Sequence, residues 1–177
     1  MKDKFEALKA LGAGDFQHLN GSLIAHLEGT QRILKEWGAS EVLQTAGLFH
    51  AAYGTAGFDE IMVSLDKRND IADVIGVAEE ELVYLYCSCD RDSVFPQFDG
   101  RDPIRFKDRF VSKTFDLDKS TLRLFCELTV ANELELVYAS DEFKKQYGKE
   151  LFTLFETMQP YLSLNAKSAY QNALANV

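Results

Sequence analysis

The sequence predicts an all-α domain, and three observations support this. Apolar residues recur with the 3.6-residue period of a helix over most of the chain, and serine or glycine stands at several ends of these stretches. Residues 93–118 differ, because they hold two of the three prolines and partly alternate in polarity. The length of 177 residues and the hydrophobic content of 46% suit one domain with a sizeable core. We therefore expect residues 1–177 to form a single helical domain with a small irregular or hairpin insertion.

The apolar period also places the individual helices. In chain order they are expected at residues 3–11, 22–37, 41–53, 58–66, 68–76, 78–88, a long helix from Ser120 to residue 139, and a last pair at 141–157 and 160–174. Ser40 is a suitable N-cap for the third of these, and Pro160 separates the last two. The chain has no internal repeat and no linker that would divide it.

Net charge limits the possible partners. The formal charge is −9, with the acids spread along the chain, whereas nucleic-acid surfaces need clustered Lys and Arg. The basic residues between positions 91 and 109 could line a pocket or be solvated. No stretch approaches the roughly 18 apolar residues of a membrane span, and the N-terminus lacks the apolar core of a signal peptide. We expect a cytoplasmic protein that binds a small molecule, and neither nucleic acid nor membrane.

The three cysteines are expected to be structural. Cys87, Cys89 and Cys126 cannot all pair within one chain, and the spacing "CSC" is poor for zinc beside the usual C-x2-C. Reduced thiols fit the expected cytoplasmic location.

All three histidines fall in the first third of the chain. His26 and His50 lie on the apolar faces of two helices joined by a short loop, so antiparallel packing can bring both imidazoles to one interior point. Imidazole binds zinc, manganese and iron, so this is the beginning of a metal site. The alternative is that each is a buried neutral histidine bonded to a backbone carbonyl. His18 could supply a third nitrogen or lie in a surface loop.

The segment "GSLIAHLEGTQRILKEWGASEVLQTAGLFHAAYGT", residues 21–55, resembles the start of the HD-domain superfamily of metal-dependent phosphohydrolases. It is most similar to the branch that hydrolyses the alarmones guanosine tetra- and pentaphosphate. The resemblance places His26 at the first metal ligand and His50 at the second. Downstream, "TVANELELV" resembles the segment that carries the final aspartate ligand, and places Asn132 there. An HD-like helical bundle is the fold that this implies.

Two positions depart from the HD pattern. The aspartate that should follow the second histidine is Ala51, and the final aspartate is Asn132, so two of the four usual ligands are lost or neutralised. The catalytic acids of the alarmone branch are replaced by "YGT", and we do not expect alarmone hydrolysis by the usual mechanism. The segments "HLEGT", "GLFHAAYGT", "IGVAEEELVYLYCSCDR" and "ELTVANELEL" also resemble a family of small HD-related proteins without an assigned reaction, in which Ala51 would be a family property.

Two function classes remain open. The first is a metal-dependent hydrolase acting on a small polar or phosphorylated substrate, with a zinc, manganese or iron ion held by His18, His26, His50 and Asn132. In this hypothesis Arg91 anchors negative charge, while Tyr53 and Thr55 contact the ligand. An iron oxygenase is a lesser variant, because HD enzymes with two irons use more carboxylates. The second class is a degenerate HD fold that serves as a ligand-binding or protein-interaction module. Glu133 and Glu135 are expected on opposite sides of their helix, so that at most one faces a pocket.

Overall fold

The computed structural model describes Glu6, residues 21–58 and residues 60–177, and it confirms a mainly helical fold with a small hairpin. Apart from Glu6, the helix expected at 3–11 lies outside the described residues. The helices are α1 (Gly21–Glu36), α2 (Glu41–Phe49), α3 (Arg68–Ile75), α4 (Val77–Ser88), α5 (Arg91–Val94), α6 (Lys119–Ala139), α7 (Asp141–Met158) and α8 (Leu164–Ala173). The strands are β1 (Arg105–Asp108) and β2 (Lys113–Asp116), and 3-10 turns occur at Leu65–Lys67, Phe95–Asp99 and Gln159–Tyr161.

Short polar side chains begin several helices. Ser40 accepts a hydrogen bond from the Leu43 amide at the start of α2, at 3.3 Å, as its position in the sequence predicts. The long helix α6 begins slightly before Ser120, because Asp118 accepts the Thr121 amide at 2.9 Å and is the N-cap. Serines 140 and 163 cap α7 and α8 in the same way. The helix boundaries therefore follow local sequence closely.

The helix expected at residues 58–66 does not form. The amides of Met62 and Val63 both donate to the carbonyl of Ala52, at 3.0 and 2.9 Å, and Thr55 pairs with Phe58 in an isolated antiparallel bridge. These backbone bonds to the end of α2 replace the bonds within a helix. The segment instead folds back over α2, which brings Thr55 and Phe58 toward the functional residues described below.

Helix α6 lies at the centre of the domain and packs against α1, α2, α4, α7 and α8. Its buried side chains include Phe125, Leu128 and Leu134, and Phe155 from α7 joins the same core. Helices α1 and α2 form a tight pair, because Gly38 adopts a positive φ of 75° and the amide of Ala39 bonds the carbonyl of Leu34. This pairing sets His26 and His50 against α6.

The β-hairpin fixes the end of α4. Arg105 pairs with Asp116 and Asp108 with Lys113 in its antiparallel register, and the amide of Asp90 donates to the carbonyl of Lys107. This bond positions the start of α5, where Arg91 stands. Among the described residues, no helix combines the length and the apolar character needed to cross a membrane.

Candidate ligand-binding pocket

A cavity of about 790 Å³ opens between α1, the 54–58 loop, α5, α6 and α7. Most of its wall is apolar and includes Leu23, Phe58, Phe95, Phe143, Leu151 and Leu154. One end is polar and is lined by His26, His50, Arg91, Asn132, Glu133 and Glu135. The pocket thus joins an aromatic and aliphatic wall to a compact set of titratable side chains.

His26 is held between two side chains of α6. Its Nδ1 contacts the carboxylate of Glu135, and its Nε2 lies 2.8 Å from Oδ1 of Asn132. Residues three apart share a helix face, which explains why α6 presents both partners to one ring. A carboxylate only accepts hydrogen bonds, so Nδ1 is the nitrogen that donates to Glu135.

His50 has a different environment. The side chain is buried, with 2% of its surface exposed, and Nδ1 donates to the Gly47 carbonyl at 2.7 Å. Its ring meets that of His26 edge-on, with the centroids 5.1 Å apart. Burial, and then the positive charge of His26, lower the pKa of His50 to about 3. His50 is therefore neutral at physiological pH, and Nε2 is the nitrogen that remains to meet the pocket.

Arg91 and Glu133 form the second ion pair of the polar end. The guanidinium donates to Glu133 and to the Tyr86 hydroxyl, each at 3.3 Å, and lies against the ring of Phe95. Asn132 donates to the same Glu133 oxygen at 3.1 Å. Burial raises the pKa of the Glu133 carboxyl, and Arg91 opposes that rise. These contacts connect Glu135, His26, Asn132, Glu133, Arg91 and Tyr86 into one hydrogen-bond network, which we call the pocket network.

The structure brings most of the sequence-predicted site residues together. His26, His50, Thr55, Arg91 and Asn132 all line the pocket. Tyr53 is separate from it: its buried hydroxyl donates to Glu80 at 2.7 Å inside the core. His18 lies outside the described residues. Of the basic residues between positions 91 and 109, which could line a pocket or be solvated, Arg91 lines the cavity, whereas Arg101, Arg105, Lys107 and Arg109 do not.

Both Glu133 and Glu135 line the pocket, contrary to the expectation that at most one would. The cavity wraps around the buried side of α6, and each carboxylate is drawn to a different partner: Glu133 to Arg91 and Glu135 to His26. The partner of Glu135 is 109 residues away in sequence. Helical spacing alone indicated neither pairing.

The metal ligands predicted from the sequence are only partly assembled. Within the part of the chain that the structure describes, no three His, Cys, Asp or Glu side chains are arranged to hold a metal ion. At the two positions where the resemblance predicts aspartates, Ala51 lines the pocket with a methyl group and Asn132 supplies a neutral oxygen. A metal site thus stays a prediction based on His26, His50, Asn132 and His18.

The cysteines lie away from this chemistry. Cys87, Cys89 and Cys126 are free and buried, and burial raises the pKa of the Cys87 and Cys89 thiols to about 12. The Cys87 thiol donates to the backbone carbonyl of His50 at 3.1 Å, which supports the end of α2. These thiols have a structural role.

A protein-family model described as a domain of unknown function, DUF6817, matches residues 7–91 of the chain. The match ends at Arg91, so it contains His26, His50 and Thr55 but none of the α6 residues of the pocket network. No curated protein and no solved structure matches the chain. The similarity to HD enzymes therefore stays a prediction from the motifs.

Proposed function

We propose that the protein binds a small amphipathic molecule in this pocket, with the apolar body against the aromatic wall and a polar group at the pocket network. The observation that carries the proposal is the cavity itself. Small-molecule sites are typically clefts of about 300–1,000 Å³ with mostly apolar walls and a few convergent polar groups. The 790 Å³ cavity combines these features.

The polar end can hydrogen-bond a bound polar group. His50, neutral because of its burial, presents Nε2 as an acceptor, and its ring centroid lies 5.1 Å from that of His26. His26 is itself held by Glu135 and Asn132. A general base works best with a pKa near the operating pH, whereas the pKa of His50 is about 3, so the polar end supports binding of a polar group rather than acid–base catalysis on it.

Binding can be tested with a neutral amphipathic fluorophore, 6-propionyl-2-dimethylaminonaphthalene. Ala139 is an exposed residue that lines the pocket, so Ala139→Trp should obstruct it. Ala78, exposed on α4 and outside the lining, gives the matched control Ala78→Trp. We expect saturable 1:1 binding by the wild type and by Ala78→Trp, and binding at least about tenfold weaker in Ala139→Trp. Absence of saturable binding, or equal affinity in all three proteins, would contradict the proposal.

A second candidate, metal-dependent hydrolysis, is favoured by one observation. In both histidines Nδ1 is held by an oxygen, from Glu135 for His26 and from Gly47 for His50, which is the usual arrangement behind metal-bound imidazoles. The second nitrogens of the two rings, together with Oδ1 of Asn132 once its contact with His26 is given up, are the ligands that would hold zinc, manganese or iron. Such an ion would polarise a water molecule for attack on a substrate. These ligands fit such an ion only in part, because neither the imidazole nitrogens nor the amide oxygen carries a formal charge.

Metal content decides this second candidate. Untagged wild type and His50→Ala would be compared by elemental mass spectrometry, as purified and after reconstitution with each ion. Near one equivalent of metal in the wild type, lost in His50→Ala, would support hydrolysis. No metal under any of these conditions would overturn it and leave the ligand-binding proposal intact.

A further inference from the structure

The charges inside the pocket compensate one another. Arg91 is paired with Glu133 at 3.3 Å, and His26 is paired with the carboxylate of Glu135. His50 is buried, and its Nδ1 donates to the Gly47 carbonyl, so this ring is also engaged within the protein. A ligand that reaches the polar end therefore meets side chains that already have partners, and no unpaired arginine or lysine of the described residues lines the pocket to receive a phosphate or carboxylate.

The negative charges at the rim of the pocket are not compensated. Glu60 and Glu150 are exposed lining residues, and neither side-chain carboxylate forms an ion pair or hydrogen bond with another residue that the structure describes. Glu150 also lines an adjoining cavity of about 580 Å³, together with Asp92 and Asp99. The two cavities share Arg91, Phe95 and Leu154. The outer part of the site is consequently acidic.

Aromatic rings stand beside these acids. Phe143, Tyr147 and Glu150 follow one another at helical spacing on α7, with the two ring centroids 4.8 Å apart. Aromatic faces attract ammonium groups, and nearby carboxylates add to that attraction. The same rim repels an anion, as does the chain as a whole, whose formal charge is −9.

We propose that the ligand is an amphipathic cation, a primary amine or quaternary ammonium compound, whose positive group lies at the rim near Glu150 and whose apolar part fills the cavity. This inference depends on the proposed ligand-binding function and specifies its ligand class. It differs from the sequence expectation of a phosphorylated substrate anchored by Arg91, since Glu133 already neutralises that guanidinium.

Three molecules of nearly equal shape test the inference: 4-phenylbutylamine, 4-phenylbutan-1-ol and 4-phenylbutanoate. At pH 7 they are cationic, neutral and anionic. Isothermal titration calorimetry at low ionic strength should give the tightest binding for the amine and about tenfold weaker binding for the carboxylate, because exposed charges change affinity by only a few fold each. Added salt should narrow the difference.

Two variants test whether Glu150 causes the preference for the amine. Glu150→Gln should reduce the amine-to-carboxylate preference to about threefold or less. Glu142→Gln is the matched control, because Glu142 is exposed on the same helix, outside the pocket lining, and its replacement changes the net charge equally. That control should retain the wild-type preference. Both substitutions are at exposed positions, so circular dichroism should show unchanged folding.

The outcomes separate the two proposals. Tightest binding of the amine, with a preference that Glu150→Gln reduces and Glu142→Gln preserves, supports the inference. Binding of the alcohol together with equal or tighter binding of the carboxylate overturns the inference but leaves the pocket a ligand site. A preference for the amine that Glu150→Gln does not change also overturns it. Failure of all three molecules and of the neutral fluorophore to bind overturns the ligand-binding function as well.

Discussion

The protein holds two largely buried networks, each centred on one arginine and one glutamate, and they differ in the number and length of their hydrogen bonds. In the first, which we call the core network, Arg68 donates to both oxygens of Glu80 at 2.7 and 2.8 Å, and Tyr53 adds a third bond at 2.7 Å. In the pocket network, Glu133 accepts one bond from Arg91 at 3.3 Å and one from Asn132 at 3.1 Å. The core network lines neither cavity, whereas the pocket network forms the polar end of the larger one.

The difference indicates what each network does. Glu80 is 3% exposed and makes bidentate bonds, so its capacity to accept hydrogen bonds is largely used within the protein. The Arg68 guanidinium also stacks 3.6 Å from the centre of the Tyr84 ring, which ties α3 to α4. Glu133 is bonded less closely and borders open space, so it and Asn132 retain capacity for a ligand. Buried charge on a cavity wall is therefore a better indication of a candidate site than buried charge alone.

The largest expected effect comes from breaking the core network. Glu80→Gln should lower the free energy of unfolding by about 2 kcal/mol, because it removes the bidentate charge-assisted bonds, while the half-exposed Arg68 guanidinium can regain water. Glu133→Gln should cost only about 1 kcal/mol, since Arg91 can gain water from the cavity. Urea denaturation of both variants measures the comparison. Equal losses would show that the two networks have the same structural role.

His50 gives the stability of the protein a distinctive pH dependence. The unfolded chain takes up the proton near pH 6.5, whereas the folded protein takes it up only near pH 3. Between these values the unfolded state binds more protons, so stability is complete above pH 6.5 and falls as the pH is lowered. From pH 6 to pH 5 the wild type should lose about 1 kcal/mol more than His50→Asn, which preserves a donor for Gly47 without titrating. Parallel pH profiles of urea denaturation for the two proteins would disprove this.

Tyr53 distinguishes the two networks, because the sequence predicts it at the ligand site whereas the structure places it in the core network. Tyr53→Phe removes one hydrogen bond to Glu80 and should cost about 1 kcal/mol of stability. Affinity for the neutral fluorophore should not change, because Tyr53 does not line the pocket. The fluorophore affinity of Thr55→Val should be measured beside it, because Thr55 does line the pocket. A loss of affinity in Tyr53→Phe with stability intact would instead place Tyr53 at the site.

The smallest expected effect concerns the loop that borders Arg91. A β-carbon on Gly57 would lie 3.1 Å from Nη1 of Arg91, so Gly57→Ala should displace the guanidinium by a few tenths of an ångström. We expect about a twofold to fivefold change in fluorophore affinity and little change in stability. Ala56→Ser is the matched control, because Ala56 is exposed in the same loop. Identical affinities would show that the position of Arg91 does not affect binding.

Local sequence was sufficient for most of the fold. The helices α1, α3, α4 and α7 match the apolar period within a few residues, and the insertion contains the expected hairpin. The failure at 58–66 has a tertiary cause, because the Ala52 carbonyl accepts the backbone amides of Met62 and Val63. A periodic pattern describes which face is apolar, but it does not show that another segment will accept the backbone hydrogen bonds.

The sequence by itself determined the helical domain, the convergence of His26 and His50, and the two missing aspartates at Ala51 and Asn132. Those features depend on local periodicity, on a short interhelical loop and on residue identity, all of which can be read along the chain. Only the tertiary structure decided that Glu135 holds His26, that Glu133 neutralises Arg91 and that Tyr53 belongs to the core network. These pairings join residues that are 109, 42 and 27 positions apart in the sequence. Helix packing selects each partner, and the periodicity of apolar side chains does not encode how the helices pack.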